Sequence, residues 1–574
     1  MPGLRGVALA LIFAALVAVS FERWGHARAD LGGALDRTAR VAAGELLYRD
    51  VQSPYGPLPD YAVAAGFRLA GTRLAVAWTI GLLLIVAESA LLFTIARRFC
   101  SPAQCFVGVV GFWVLFAFAP GLFGWVLPNT FASTFGATGA TLALALAVAA
   151  RERASMRLFV AASIAAAAAG LSKVDYGFAA ALAVVAAACL APAHVKRARL
   201  LAAAVLPGLV VAGAVLALFG WLVAWDVLVF DNLYRVRSLG RTLAALRAAV
   251  PAWTTVLATS LLPYAVEMPL RAAMVAWGLA LAGGGIRRAI GLALATAALA
   301  LPLLPGYPGQ LDFTLLAAGI GFAWTPLAWL VVTLLALPGA RRGETAPAAL
   351  VLAGLWSVAL ALRWDLRLVW PSYYGVLAPF VLLFVVGRLA SLLVRVPTTL
   401  AAAGVVAVPI VLLAAANAEH YRTQYRFALS YPRGTLRTAM MEGQPLATVI
   451  DHIRAHTEPG DWVAVFPEER LINFLSERRH PTRDSGTGPG WLATPEDEAE
   501  CVAQLEKRRP RLVVLSDRRW PEVGAGDLGS YNPLLRAWID REYEPVLTTA
   551  PHIVRYTILA PRGSDSRARA GGGE

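Results

Sequence analysis

DLGGALDRTARVAAGELLYRDVQSPYGPLPDY, residues 30–61, is polar and rich in turn formers, and it carries Asp30, Asp36 and Asp50 directly behind the first apolar run of the chain. A polar segment this short between two apolar runs is expected at a water–lipid boundary, where a membrane-held phosphate and a water-borne molecule can meet. The rest of the chain supports that placement. Of 574 residues, 58% are apolar and 15% charged, and the mean hydropathy of +0.61 is far above what a soluble core requires. The surplus apolar side chains must face lipid.

They fall into runs of 12 to 30 residues, around the length of about 18 to 25 that crosses roughly 30 Å of hydrocarbon as a helix. The runs are 4–21, 74–96, 104–119, 131–150, 158–171, 177–189, 200–225, 253–282, 289–304, 313–337, 346–362, 375–386 and 400–416. Every second junction is basic: Arg97 and Arg98; Arg151, Arg153 and Arg157; Lys196, Arg197 and Arg199; Arg287 and Arg288; Arg341 and Arg342; Arg388 and Arg395. The positive-inside rule puts these junctions in the cytoplasm. The N-terminus is then inside, and the loop 22–72 and everything after Asn417 are outside. The first run, behind Arg5, reads as a retained helix rather than a cleaved signal core, and either reading leaves the loop on the outer side.

The expected fold is therefore an all-α polytopic membrane bundle of about thirteen transmembrane helices with a small C-terminal extracytoplasmic α/β domain. Residues 1–417 form the membrane domain, 418–561 the α/β domain, and 562–574 a disordered tail. Within 418–561 the sequence predicts helices at 445–456, 468–478 and 495–509, a turn at 458–461, and strands at 462–466 and 511–515. The layout suits a multi-pass protein of a bacterial cytoplasmic (inner) membrane, with membrane lipids as its surroundings.

The formal charge of +14 does not signal nucleic acid. Lysine occurs three times, and the arginines are spread over loops instead of clustering on one face. The four cysteines, Cys100, Cys105, Cys189 and Cys501, contain no CxxC pair, which excludes a cysteine metal site and a disulfide within the C-terminal segment. No GxxxxGK[ST] or GxGxxG stands in a strand–helix context, so nucleotide-driven chemistry is not expected.

Group transfer from a lipid phosphate needs a carboxylate to take the acceptor's proton and cations to stabilise the leaving phosphate. Asp30 is the best-placed carboxylate, close behind the first apolar run, and Asp50 is the second candidate. Asp36 and Arg40, four apart, are expected to pair on a surface helix. Tyr48, Arg49 and Asp50 suit a turn that seats the loop, and 54–59, with its three prolines, suits a rigid approach to the next span. For the phosphate and sugar, the candidate contacts are Tyr48, Arg49, Tyr55 and Lys173, then Arg235, Arg237 and Arg241 beyond one span, and Arg363, Arg367 and Tyr373 beyond another. Each has a plainer alternative: an interfacial aromatic belt, an amphipathic segment on head groups, or a lysine snorkelling at a helix end. Glu88 and Glu267 lie inside apolar runs. Glu267 has Arg271 one turn away, whereas Glu88 has no such partner and suits either a packed polar contact or a transport pathway.

DLGG at 30–33, GELLYRD at 44–50 and YGPL at 55–58, followed by an apolar run opening near Ala70, resemble the first outer loop of GT-C membrane glycosyltransferases. These are the relatives of polyprenyl-phosphate-mannose protein mannosyltransferases and of the aminoarabinose transferases of lipid A. The resemblance implies an inverting hexosyl or pentosyl transfer from a polyprenyl-phosphate sugar donor to an extracytoplasmic lipid, glycan or protein acceptor. It places Asp30 as the base or as a metal-coordinating acid, with a divalent cation (Mg or Mn) left open as cofactor. The chain departs from that pattern in having Leu31 after Asp30 and no acid in the second outer loop, 120–130, which leaves Asp312 as the candidate second carboxylate. The alternatives are a transporter or flippase of lipid-linked sugars, disfavoured by the lack of an internal repeat, and a non-catalytic scaffold.

Overall fold

In a computed structural model, the chain is described at residues 2–24, 27, 31–120, 124–192, 196–232, 285–300, 325–361, 375–394, 399–484, 486–492, 494–520 and 525–563. Helix α1 (Pro2–Ser20) leads into a loop that contains two helices of its own, α2 (Leu31–Ala42) and α3 (Leu58–Ala70). The bundle then continues with α4 (Leu74–Ala96), α5 (Pro102–Phe112, prolonged by a π turn Trp113–Ala117), α6 (Phe131–Arg153), α7 (Met156–Gly170), α8 (Val174–Cys189) and α9 (Arg197–Val223). Further on come α10 (Gly285–Ala300), α11 (Thr325–Arg341), α12 (Thr345–Ala361), α13 (Ala378–Val394) and α14 (Thr399–Gln424).

Local chemistry sets several of these ends. Ser101 and Gln104 form a reciprocal capping box at the start of α5, and Thr130 accepts from Ala132 N at the start of α6. The helices bury small residues against each other and turn large ones outward. Ala137, Ala140, Ala143 and Ala147 of α6 are buried, whereas Leu83, Val86, Leu209, Val210 and Trp221 stand exposed. A stripe of exposed leucine, valine and tryptophan on helices of this length is a lipid-facing surface.

Among the described residues four helices are long and apolar enough to cross a membrane: Leu74–Ala96, Phe131–Arg153, Arg197–Val223 and Ala403–Gln424. Seven shorter apolar helices pack beside them. Among the described residues these helices do not establish the expected count of about thirteen spans, since several runs form helices of 10–17 residues. The run 253–282 lies outside the described residues. Helix α14 also passes the boundary expected at 417 and runs to Gln424, with Asn417 Nδ2 and Tyr421 Oη donating to the carbonyls of Val114 and Phe118 around the π turn.

Basic junctions gather at one end of the bundle. There Arg98 pairs with Glu152, and Arg151 donates to the carbonyls of Leu190 and Ala340. The loop with α2 and α3 lies at the opposite end, together with the C-terminal domain. That domain opens with a hairpin, β1 (Phe427–Tyr431) and β2 (Gly434–Thr438), followed by α15 (Met440–His456), β3 (Val463–Phe466), α16 (Leu471–Ser476), α17 (Pro495–Arg508), β4 (Leu512–Ser516), α18 (Leu528–Tyr531), α19 (Pro533–Glu542), β5 (Tyr543–Thr548) and β6 (Tyr556–Pro561). Its four-stranded sheet has the order β3-β4-β6-β5, with β3 and β4 parallel and the other pairs antiparallel. The helix expected at 468–478 shrinks to six residues: Pro467 precedes it and Glu477 ends it in the left-handed conformation.

Backbone hydrogen bonds tie loop and domain together. Arg437 N donates to Glu22 O, Leu74 N to Arg433 O, and Gln52 N to Arg483 O. The tightest approach is that of α2 to α16, where a Cβ on Gly32 would run into the backbone of Leu471. Gly32→Val is therefore expected to push α2 off the domain and cost roughly 1–3 kcal/mol. A lower unfolding midpoint in detergent together with faster proteolysis between 424 and 440 would register it, and an unchanged midpoint would refute the close packing.

Candidate functional site

Helix α2 is amphipathic in an unusual sense, because its charged side chains are as buried as its apolar ones. Leu31, Ala34 and Leu35 pack into the core, while Asp36, Arg37 and Arg40 are 7%, 7% and 4% exposed. Each arginine is engaged by an acidic partner, as a buried guanidinium requires. Arg37 Nε donates to Asp60 Oδ1 at 2.8 Å, and Ser53 Oγ donates to the other oxygen of Asp60 at 3.2 Å. Arg40 pairs with Glu45 at 2.7 Å and donates to the carbonyls of Thr482 and Asp50. The expected surface pair Asp36–Arg40 is thus corrected: the helix is not on the surface, and the ion-pair partner of Arg40 is Glu45.

Asp36 instead faces a cluster of guanidiniums. Burial pushes its carboxyl above the usual range, opposed by the charges of Arg40, Arg470 and Arg433. Burial likewise pulls Arg470 down to about 10, with Asp36 opposing it. Arg470 donates from Nη2 to Asp484 O at 2.9 Å, and its Nε and Nη1 have no hydrogen-bond partner among the described residues. This charge cluster lies between the loop and the C-terminal domain.

Asp50 closes a turn. Its Oδ2 accepts from Leu46 N at 2.8 Å, and its carboxylate pairs with Arg49, whose hydrogen bond holds it below the usual range. Tyr48, at φ 75°, sits fully buried with its ring edge on Phe219 of α9 (5.2 Å), and its hydroxyl donates to Tyr55 O. These three residues seat the loop on the bundle.

Beside them opens a polar cavity of about 250 Å³. Its lining comes from three sources: Gly33 and Arg37 of α2 with Pro54 and Tyr55, then Asn129 and Thr130 ahead of α6, then Glu468, Gly486 and Trp491 of the C-terminal domain. Glu468 pairs with Arg518 at 2.9 Å, and that guanidinium lies over the Trp520 ring. The floor of the cavity is therefore bundle and loop, and its lid is the C-terminal domain at the carboxyl ends of β3 and β4. Crevices at the carboxyl ends of parallel strands are where α/β sheets commonly bind ligands.

A second cavity, of about 400 Å³, is apolar. It runs between α7, α8 and α9 over Ala166, Gly170, Gly177, Ala181 and Gly208, and it ends at Gly56 and Leu171. Tyr55 of the first cavity and Gly56 of the second are neighbours in the chain, and Gly56 N and Leu58 N donate to the carbonyls of Ser172 and Leu171. Lys173 stands at this joint. Its Nζ is 3.2 Å from Ser133 Oγ, 3.9 Å from Asp175 and 5.7 Å from the centre of the Tyr55 ring.

Of the residues singled out in the sequence, Tyr55 lines the polar cavity and Lys173 flanks it, while Asp50 and Arg49 turn away from it. Asp30, Arg235, Arg237, Arg241, Arg363, Arg367 and Tyr373 lie outside the described residues, as do Glu267 and Asp312. Residue 30 directly precedes α2, whose Gly33 and Arg37 are in the wall. Arg37, Asp60, Glu468 and Trp491 went unnoticed in the sequence. Asp60, in the first turn of α3, and the acidic pair after Pro467 look like ordinary helix-start residues. Glu88 turns out to be a packed polar contact, fully buried, with Thr141 Oγ1 donating to it at 2.8 Å.

Among the described residues no three His, Cys, Asp or Glu side chains gather as a metal site, and Glu468 in the cavity wall is committed to Arg518.

Fold and site together define a helical membrane protein whose C-terminal domain closes a polar cavity at one end of its bundle. It is similar to ArnT from Cupriavidus metallidurans, bound to undecaprenyl phosphate and in the apo state, with 16% and 15% identity, TM-scores of 0.46, and coverage of 97% of this chain and 98% of that one. It is also similar to the archaeal oligosaccharyltransferase AglB from Archaeoglobus fulgidus, in complex with an inhibitory peptide and a dolichol-phosphate, at 13% identity and a TM-score of 0.41, over 88% of this chain and 69% of that one. No family model matches the chain, and no curated protein matches it.

A pH dependence follows from Asp36. Its pKa is raised on folding from 3.8, so the native state binds more protons than the unfolded chain from that value up to the folded pKa. Its contribution to stability therefore falls as pH rises through that window. Asp36→Asn is expected to remove this slope, which thermal melts of both proteins from pH 4 upward would measure. An identical slope in the variant would show that the carboxyl is not held protonated by burial.

Proposed function

We propose that the chain is a membrane glycosyltransferase that moves a sugar from a polyprenyl-phosphate donor to an extracytoplasmic hydroxyl or amine. One observation carries the reading: an apolar groove between membrane helices ends at Gly56 and Leu171, next in the chain to Tyr55 of the polar cavity, with Lys173 beside both. Such a joint suits a lipid phosphate sugar. The prenyl chain lies along α7, α8 and α9, the phosphate meets Lys173, and the sugar occupies the space under Glu468 and Trp491. Closure by the C-terminal domain keeps water from competing with the acceptor.

In the reaction, Asp30 accepts the proton of the acceptor while its oxygen or nitrogen attacks C1 on the face opposite the phosphate. A bond from C1 to the acceptor forms and the C1–O bond to phosphate breaks. The electron pair leaves with polyprenyl phosphate, and the configuration inverts. Lys173 offsets the charge that develops on the phosphate, and Arg37, held by Asp60, presents donors to the sugar. Asp30 comes from the first-loop resemblance and from its place in the sequence directly before α2. The basic junctions support a cytoplasmic end opposite the cavity.

Purified protein in nanodiscs, supplied with a panel of radiolabelled polyprenyl-phosphate sugars and membrane acceptors, tests this. Asp30→Asn is expected to lower kcat by about 10²–10⁴ with little change in donor KM, as loss of a general base does. Lys173→Met is expected to raise KM for the donor. Undiminished transfer by Asp30→Asn would remove that residue from the mechanism, and the absence of transfer with every donor would turn the reading to transport of lipid-linked sugars.

A further inference from the structure

The C-terminal domain has another cavity, of about 400 Å³, at the amino ends of β3 and β4, opposite the ends that roof the first. Its wall includes Trp462, Trp538 and Tyr543, together with Arg508, Arg509 and Arg511. Nothing in the transfer described above uses it.

Three observations bear on its occupant. Arg509 and Arg511 are exposed, and their guanidiniums make no hydrogen bond or ion pair among the described residues. The carboxylates of the same wall are engaged. Glu506 accepts from Trp538 Nε1 at 3.2 Å, Glu542 pairs with Arg541 at 2.8 Å, and Asp461 accepts from Glu458 N at 2.8 Å. The cavity thus presents two uncommitted forks of donors, a geometry that matches carboxylate and phosphate.

Arg509 also holds φ 32°, a left-handed conformation at the end of α17 that a glycine would adopt without strain. Strain of this kind persists where surrounding structure imposes it, and it clusters at ligand sites. Finally, the wall is aromatic, with the Arg508 guanidinium lying 4.8 Å over the Trp462 ring. Aromatic rings beside hydrogen-bonding groups, in a space of a few hundred Å³, suit a sugar ring.

We propose that this cavity binds an acidic saccharide, with Arg509 and Arg511 holding its carboxylate or phosphate against the Trp462–Trp538 wall. The inference is independent of the transferase reading, since neither its residues nor its test involve the first cavity. The anion could belong to a free glycan or to a lipid-linked head group, and both present the same charged pyranose.

Calorimetric titration of the full chain in nanodiscs with trigalacturonate, maltotriose and inorganic phosphate decides it, with a short-chain lipid-linked sugar phosphate as a fourth arm. Saturable binding of trigalacturonate is expected, at least tenfold tighter than maltotriose and phosphate, and weakened at least tenfold in Arg511→Gln. Arg509→Gly keeps the left-handed backbone while removing the guanidinium, so it is expected to fold normally and to lose affinity likewise. Preferential binding of the lipid-linked arm would assign the site to a head group, still through the two arginines. Equal affinity for maltotriose, equal affinity for bare phosphate, no saturation with either acidic sugar, or full affinity in both variants would each overturn the proposal.

Discussion

Helix α2 has nowhere to go, and much of the loop end follows from that. It is pressed between membrane helices and the C-terminal domain closely enough that Gly32 leaves no space for a methyl group beside Leu471. Close backbone approach of this kind favours neighbouring groups that are satisfied within the protein, although Arg470 Nε and Nη1 are left without a hydrogen-bond partner among the described residues. Hence Thr38 Oγ1 bonds back to Ala34 O, Arg37 takes Asp60, and Arg40 reaches Glu45, Asp50 O and Thr482 O at once. Of the three partners of Arg40, two lie in the loop itself and one in the domain. The helix therefore determines where the domain sits.

Buried ions are a costly way to build an interface, since desolvation offsets much of the attraction between them. Their benefit is geometric. Removing one member of a pair such as Arg37–Asp60 leaves an uncompensated buried charge, at roughly 3–5 kcal/mol, so alternative packings of α2 against α3 are penalised by about as much. Apolar contact alone would not discriminate so sharply, because one leucine face accepts another in several registers.

The domain's position in turn shapes both of its cavities. Because β3 and β4 run parallel, their carboxyl ends bring Glu468 over the bundle, while their amino ends place Arg509 and Arg511 at the far side. On the bundle side, the short turn between α7 and α8 carries Lys173 to the end of the groove lined by Ala166, Gly170 and Gly177, where small residues let the two helices approach. A cation at the mouth of an apolar groove is in the right setting for an amphiphile, with its charged part in the polar space and its chain among the helices.

The sequence by itself determined that this is a helical membrane protein, which junctions are basic, and where several elements of the C-terminal domain fall, such as Val463–Phe466, Pro495–Arg508 and Leu512–Ser516. Hydropathy, helical period and caps are local properties, so a local reading recovers them. It also singled out Tyr48 to Asp50 as a seating turn, since an acid closing onto a nearby N–H is local too. The hairpin Phe427–Thr438 and the strands Tyr543–Thr548 and Tyr556–Pro561 were not legible, because their pairing depends on partners distant in the chain. The same holds for the site. That Asp36 and Arg40 are buried, and that Arg37, Tyr55, Thr130, Glu468 and Trp491 share one space, was decided only by the tertiary structure. A charged residue on a short helix looks solvent-exposed until another domain is laid over it, and no periodicity in the sequence announces that second surface.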